Sequence, residues 1–340
     1  MMEQLSIRII GGRMRNLDER IISKADNNIK DLRMQFPDGL HFVVGDVHGQ
    51  VSTLKKLMGK IEFNPYLDHV YFVGDYNGGG DVKALLDYMS VYYQEDYNIP
   101  GFHMIRGNHE RELFPLFPLE NLPDIIVIRG KWLVFYIVHA GMVSTVFDLI
   151  NEDIDKNSGK QVFAYKLEDN TCCYDAPLRQ VVWSLRGLYS QHSRRHVWPD
   201  EKKLKERNAC IIHGHTPYCF FKRTDRFTYG DDNLFWKNQH VWFCSELRSF
   251  NVDSNVKGRY ENGEMYRGLS CICLNVYDKL VGAHDGLLTT DILYEEENGI
   301  FGVKMEYSEW AEENKSIDKI LKANPEMKTI GLDGKTLVIR

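Results

Sequence analysis

Residues 45–50 read Gly-Asp-Val-His-Gly-Gln, and they follow directly on the apolar run Leu40 to Val44. A short run rich in β-branched and aromatic residues is a buried strand, and glycine on either side of Asp46 and His48 allows a tight exit turn. The same grammar recurs along the chain. Val70 to Val73 leads into Gly74-Asp75, Phe102 to Ile105 into Arg106-Gly107-Asn108-His109, Trp132 to Val138 into His139, and Cys210 to Ile212 into His213-Gly214-His215. Gln50 to Lys60 and Val82 to Tyr93 read as helices between the first three strands. Strand, polar loop, helix, strand is the rhythm of an α/β fold, in which reactive groups gather at the carboxyl ends of strands. All five polar clusters are therefore expected to face one site.

The bulk of the sequence is that of a globular protein. Hydrophobic residues make up 43% and charged residues 26% of the 340, enough to bury a core. A net charge of -6 argues against a protein that coats nucleic acid, so a nucleic acid partner is not expected, though local basic patches are compatible with one. Seven cysteines form no Cys-x-x-Cys pair and are odd in number, which suits a reducing compartment. The first twenty residues carry charge from Glu3 onward and lack the apolar stretch of a secretory signal. The apolar window 132–150 contains His139, Gly141 and Asp148 and reads as a strand entering a helix. A cytoplasmic location without membrane partners is the expectation.

Three segments are expected: an N-terminal helical extension over 1–37, a principal domain over 38–290, and an appended piece over 291–340. In the first, Leu17, Ile21, Ile22, Ile29 and Leu32 fall at helical spacing. The last holds a helix-compatible stretch from Ser308 to Leu321 and a hairpin turn at Leu332-Asp333-Gly334-Lys335. Ile272 to Val276 with Leu280-Val281 reads as a strand, and His284-Asp285 as a turn after it. Cys271 and Cys273 share one strand face as buried thiols.

Chemistry enters through the donor types. Asp46, His48, Asp75, Asn108, His139 and His215 offer carboxylate, imidazole and amide oxygen, which suit borderline to hard divalent ions. Two such ions held close together orient and acidify a water and neutralise a phosphoryl group. His213 reads as a strand-end histidine beside His215.

The ordered set Gly-Asp-x-His-Gly, Gly-Asp, Gly-Asn-His-Glu, His-Ala-Gly and Gly-His-Thr resembles the calcineurin-like metallophosphoesterases, and within them the phosphoprotein phosphatase branch with its phage and bacterial Ser/Thr phosphatases. That resemblance implies a four-layer α/β/β/α sandwich with two mixed sheets. It implies two divalent metal ions, Mn foremost with Fe, Zn or Mg open. Asp46 and His48 would bind the first and Asp75 would bridge both. Asn108, His139 and His215 would complete the second. His109 would be the acid for the leaving oxygen, Asn108 would also touch phosphate, and Arg186 in Val-Val-Trp-Ser-Leu-Arg-Gly would grip it. Asn251 to Leu274 resembles the family's closing strands and places Asp253 in the same fold.

The second motif departs from the family's Gly-Asp-x-Val-Asp-Arg-Gly. Gly78 and Gly79 stand where the acid that orients the catalytic histidine and a phosphate-binding arginine are usual. Asp81, Glu110 or Arg111 are the nearby replacements, Arg111 reading equally as a surface charge, and three consecutive glycines are expected to open the pocket. The implied activity is that of a Ser/Thr protein phosphatase hydrolysing phosphomonoesters by direct attack of a metal-bridging hydroxide. A phosphorylated protein or other phosphate ester would be its partner. Dinucleoside polyphosphate hydrolysis, nucleic acid end phosphatase activity, or an inactive metal-binding scaffold are the alternatives.

Overall fold

The computed structural model describes residues 29–110, 122–167, 198–215, 235–237, 241–244, 247–254, 256, 268–284, 288, 299–304, 328–332 and 335–339. Five strands form the first sheet: β1 (His41–Val44), β2 (His69–Phe72), β3 (Gly101–Met104), β11 (Gly268–Cys273) and β12 (Ile300–Lys304). Their order is β12-β11-β1-β2-β3, with β1, β2 and β3 parallel and β11 antiparallel to its neighbours. Seven form the second: β4 (Ile125–Arg129), β5 (Val134–Val138), β6 (Val162–Tyr165), β7 (Ala209–His213), β8 (Phe235–Lys237), β9 (Trp242–Cys244) and β10 (Ser249–Asn251). Here the order is β6-β4-β5-β7-β10-β9-β8, and β5, β7 and β10 are parallel.

Side-chain alternation stacks the layers. Phe42, Val44, Phe72 and Phe102 face outward onto helices α2 (Val51–Lys60) and α3 (Val82–Ser90), meeting Leu54, Leu57, Leu85 and Met89. Val43 and Tyr71 face inward, packing with Ile126, Phe135, Ile137, Ile212 and Phe250 of the second sheet. Tyr136, Val138 and Ile211 point out the far side onto Phe147, Ile150 and Ile154 of α4 (Ser144–Lys156) and Leu204 of α5 (Glu201–Glu206). The four layers are thus helix, sheet, sheet, helix, with two mixed sheets as the motifs implied. Each fully buried side chain of this kind contributes about 1.5–3 kcal/mol, and both faces of each sheet are covered. The strands therefore read as continuous apolar runs.

Differences from the expectation cluster near the chain's end. The stretch after β11 is a helix, α6 (Leu274–Ala283), with Leu274, Tyr277, Leu280 and Val281 buried. Their spacing of three and four is helical, and it outweighs the local β propensity of Val276-Tyr277. His284 ends that helix, so the turn follows a helix and not a strand. Ile300–Lys304 lies within the segment read as appended, yet it pairs with β11 in the first sheet. The hairpin is present, with β13 (Lys328–Leu332) paired to β14 (Lys335–Ile339) and Leu332 opposite Lys335. Ser308 to Leu321 lies outside the described residues. So does the part of the expected N-terminal helix that precedes α1 (Ile29–Gln35), whose Arg33 is held by Asp68 and the carbonyls of Ile61 and Glu62. Cys271 and Cys273 are buried free thiols. Among the described residues no helix is long and apolar enough to cross a membrane.

Candidate metal centre

The carboxyl ends of β1, β2, β3, β5 and β7 converge. Asp46, His48 and Asp75 form one group of possible metal donors and Asp75, His139 and His215 a second, the donor atoms of each lying within 4.8 Å of one another. Asp75 belongs to both. Its Oδ1 lies 3.3 Å from His139 Nε2, and its Oδ2 lies 3.9 Å from His48 Nε2. The two oxygens of one carboxylate thus face two different imidazoles.

In the first group His48 Nδ1 is 2.6 Å from the carbonyl of Asn77. That bond assigns the proton to Nδ1 and leaves the Nε2 lone pair facing Asp46 Oδ2 and Asp75 Oδ2, each 3.9 Å away. Asp46 is itself fixed by the backbone N–H of His215, which reaches both its oxygens at 3.1 and 3.0 Å. Burial, then the nearby charges of Asp253 and Asp75, push the Asp46 carboxyl well above the usual carboxylate range. A cation among these acids removes that penalty.

The second group makes the same point more sharply. His139 Nδ1 donates to the carbonyl of Val73 at 2.7 Å, and burial pulls this imidazole's pKa down to about 4, so the ring is neutral with its lone pair on Nε2. That lone pair faces Asn108 Oδ1 at 2.8 Å and His215 Nδ1 at 3.1 Å. Opposite Asn108 Oδ1 this sets acceptor against acceptor, which is repulsive unless a cation lies between them, the arrangement expected of a metal pocket. The residues therefore fit divalent ions on their donor chemistry.

Three of these residues, His48, Asp75 and His215, hold left-handed backbone conformations at φ 48°, 56° and 69°. Each costs about 1–3 kcal/mol for a non-glycine residue and persists because the surroundings hold it. Glu110 is one such support. Its buried carboxylate accepts from the N–H groups of Asp75 at 3.0 Å and Tyr76 at 2.7 Å, and from that of Gly107. It ties the loop after β2 to the loop after β3. Gly214 is another close fit, since a Cβ there would overlap Asp46 Oδ1. Gly214→Ala is expected to displace Asp46 and weaken metal binding by about 10–100-fold, as loss of a supporting contact typically does, read by metal titration of the refolded variant.

The structure brings Asp46, His48, Asp75, Asn108, His139 and His215 together, and His109 with them. The N–H of His109 donates to Asp75 Oδ1 at 3.0 Å, while its Nε2 stands 3.7 Å from Asp75 Oδ2 and its ring lies edge-on to His48. Arg111 and Arg186 lie outside the described residues. Of the replacements considered for the second motif, Asp81 caps α3 by accepting from Ala84, and Glu110 turns to backbone N–H groups. Gly79 and Gly80 do not open a gap on the side of His48. A Cβ at Gly80 would overlap the backbone of Gly49, and one at Gly79 would press on the carbonyl of His48, 3.0 Å away. Small residues let the two loops touch. His213 is buried against Trp198 and belongs to neither donor group, as expected. The carbonyls of Val73 and Asn77, which orient two imidazoles, left no trace in the sequence, because a backbone oxygen is common to every residue.

Fold and site together define a phosphoester hydrolase whose donors are arranged for divalent metal ions. The family model for the calcineurin-like phosphoesterases matches residues 42–253, and the chain belongs to that family. Curated relatives include the symmetrical bis(5'-nucleosyl)-tetraphosphatase of Shewanella sp. (strain ANA-3), 34% identical over 93 residues that cover 25% of this chain and 34% of that protein. The enzyme of the same description from Wigglesworthia glossinidia brevipalpis is 32% identical over 77 residues, covering 23% and 26%. The matches thus span about a third or less of the length of these relatives. Among solved structures, a protein serine/threonine phosphatase from Saccharomyces cerevisiae aligns with a TM-score of 0.41 at 16% identity, covering 76% of this chain and 82% of that one. A cold-active protein-tyrosine phosphatase of a psychrophilic Shewanella aligns with a TM-score of 0.39 at 18% identity, covering 70% and 77%.

Proposed function

We propose that the chain is a two-metal phosphatase that hydrolyses phosphomonoesters, with phosphoserine and phosphothreonine in proteins as its first substrate class. The observation that carries the two-metal reading is Asp75, whose two oxygens serve both donor groups. Two divalent ions there, Mn foremost, would supply an activated water and offset the charge of the phosphoryl group. Around them Asp46, His48 and Asp75 would hold one ion, and Asp75, Asn108, His139 and His215 the other. The Nδ1–H bonds to Asn77 and Val73 keep the lone pairs of His48 and His139 aimed inward. His109, placed by its backbone bond to Asp75, would pass a proton from its ring to the departing oxygen, for which an imidazole is well matched at neutral pH. Arg186 and Arg111 are proposed to steady the phosphate, a planar guanidinium being suited to two-point contact.

The protein substrate rests on the order of the five motifs. A second reading, cleavage of a dinucleoside tetraphosphate, is favoured by the curated relatives that match a quarter of the chain. The two are separated by assaying a phosphoserine peptide, a phosphothreonine peptide and diadenosine tetraphosphate with Mn²⁺ in parallel. Turnover of the peptides with none of the dinucleotide supports the first reading. The reverse result overturns it in favour of the second, and no turnover of any substrate or of para-nitrophenyl phosphate overturns both.

A further inference from the structure

The three strands that lead to Asp46, Asp75 and Asn108 carry a histidine each, His41 and His69 at the start of β1 and β2 and His103 as the third residue of β3. His41 lies opposite His69 across β1 and β2, and Tyr71 opposite His103 across β2 and β3. Their rings form a ladder. His41 stacks on His69 with centroids 4.5 Å apart and planes 4° from parallel. His69 stacks on His103 at 5.2 Å, Tyr71 lies against His103 at 4.9 Å, and Tyr97 closes the row at 5.4 Å. Two polar contacts run along it, from His41 Nδ1 to the Tyr71 hydroxyl at 3.2 Å and from His69 Nδ1 to His103 Nε2 at 3.0 Å. None of these groups belongs to the metal centre.

We propose that this ladder is an acid-sensitive clasp, holding together the strands that carry the metal-site loops only while its imidazoles are largely uncharged. The chemistry follows from the contacts. The His69–His103 bond needs one N–H and one lone pair, so the pair tolerates one proton but not two. A second proton sets N–H against N–H at 3.0 Å. A charge on His41 would stack face to face on that pair. Burial, reinforced by the neighbouring His69, pulls both His41 and His103 down to about 3, and burial lowers His69 as well.

The surrounding groups do not supply a counter-charge that reverses this. Asp68 is the nearest acid to His41 and His69, but its carboxylate is taken by Arg33 of α1 and by the N–H groups of Leu40 and Asn64. Asp96, facing His103 from the loop before β3, accepts from Asn98 at the surface. Tyr71 is pushed above its ordinary range by burial and stays neutral, as does Tyr97, pushed to about 12. From the side of β11 and α6 the His41 N–H meets the Asn275 side chain, and the Cys273 thiol is raised to about 12.

The sign is fixed by these shifts. Imidazoles whose folded pKa lies below the unfolded value near 6.5 contribute stability in full above that pH and lose it as the pH falls toward 3. Each proton excluded by the fold steepens the folding constant by about tenfold per pH unit in that window. The test is denaturant unfolding of the full chain at fixed Mn²⁺ from pH 7.5 to 5, wild type against His103→Phe, which keeps the ring stack and removes the nitrogens. The wild-type folding constant is expected to fall about tenfold more per pH unit below 6 than that of the variant; superimposable pH dependences overturn the proposal. Should His103→Phe fail to fold, deuterium exchange at imidazole C2 in the wild type decides. Half-exchange of His41 and His103 below pH 5 supports the clasp, and titration near 6.5 sinks it.

Discussion

Asp75→Asn is expected to lower turnover of para-nitrophenyl phosphate with Mn²⁺ by about three orders of magnitude, some 4 kcal/mol of barrier. Bound metal should fall from two ions per chain to one or none. The substitution keeps the shape of the side chain, and Oδ1 can still accept from the N–H of His109. What it removes is the charge and one oxygen acceptor of the group that faces both His48 and His139. An amide offers a single weak oxygen donor, so it can serve one ion and not two. Elemental analysis after gel filtration, run beside the assay, separates loss of metal from loss of fold. Unchanged metal content with unchanged turnover would show that Asp75 bridges nothing.

The second large effect is on stability. Glu110→Ala is expected to destabilise the fold by about 3–5 kcal/mol, measured as the shift in denaturant unfolding free energy, because three buried backbone N–H groups lose their acceptor together. Two of those donors belong to Asp75 and Tyr76, whose loop is already strained at Asp75. Glu110→Gln is the informative companion. Its oxygen still accepts from part of the set while its NH₂ group meets an N–H, so an intermediate loss is expected. A Glu110→Ala protein as stable as wild type would mean that the loops hold each other without the brace.

Much of this was readable from residue order. The apolar runs ending in Asp46, Asp75, Asn108, His139 and His215 named the strands and the candidate donors that those strands bring together, since a strand buried on both faces has few sequences open to it and a metal pocket has few donor types. The stretch after Cys273 was not readable in the same way. Its aromatic and β-branched residues favour a strand locally, and only the burial of Leu274, Tyr277 and Val281 on one side of a helix selects the other outcome. The glycines at 78–80 were ambiguous for a related reason. Absence of a side chain is equally compatible with an opening and with close contact, and the partner that touches them, Gly49 with His48, comes from another loop.

The candidate donor types, the strands that carry them and the layered α/β class were thus written in the linear pattern, because each depends on side-chain type and local period. Which carbonyl orients which imidazole, the turning of Glu110 toward backbone rather than toward His109, and the stacking of His41, His69 and His103 across three strands depend on register between segments distant in sequence. Register is set by the packing of whole layers, and no single stretch of residues carries it. The hexapeptide from Gly45 to Gln50 offers a carboxylate and an imidazole as candidate metal donors; the carbonyl of Asn77 and the N–H of His215, brought in from two other loops, are what aim them.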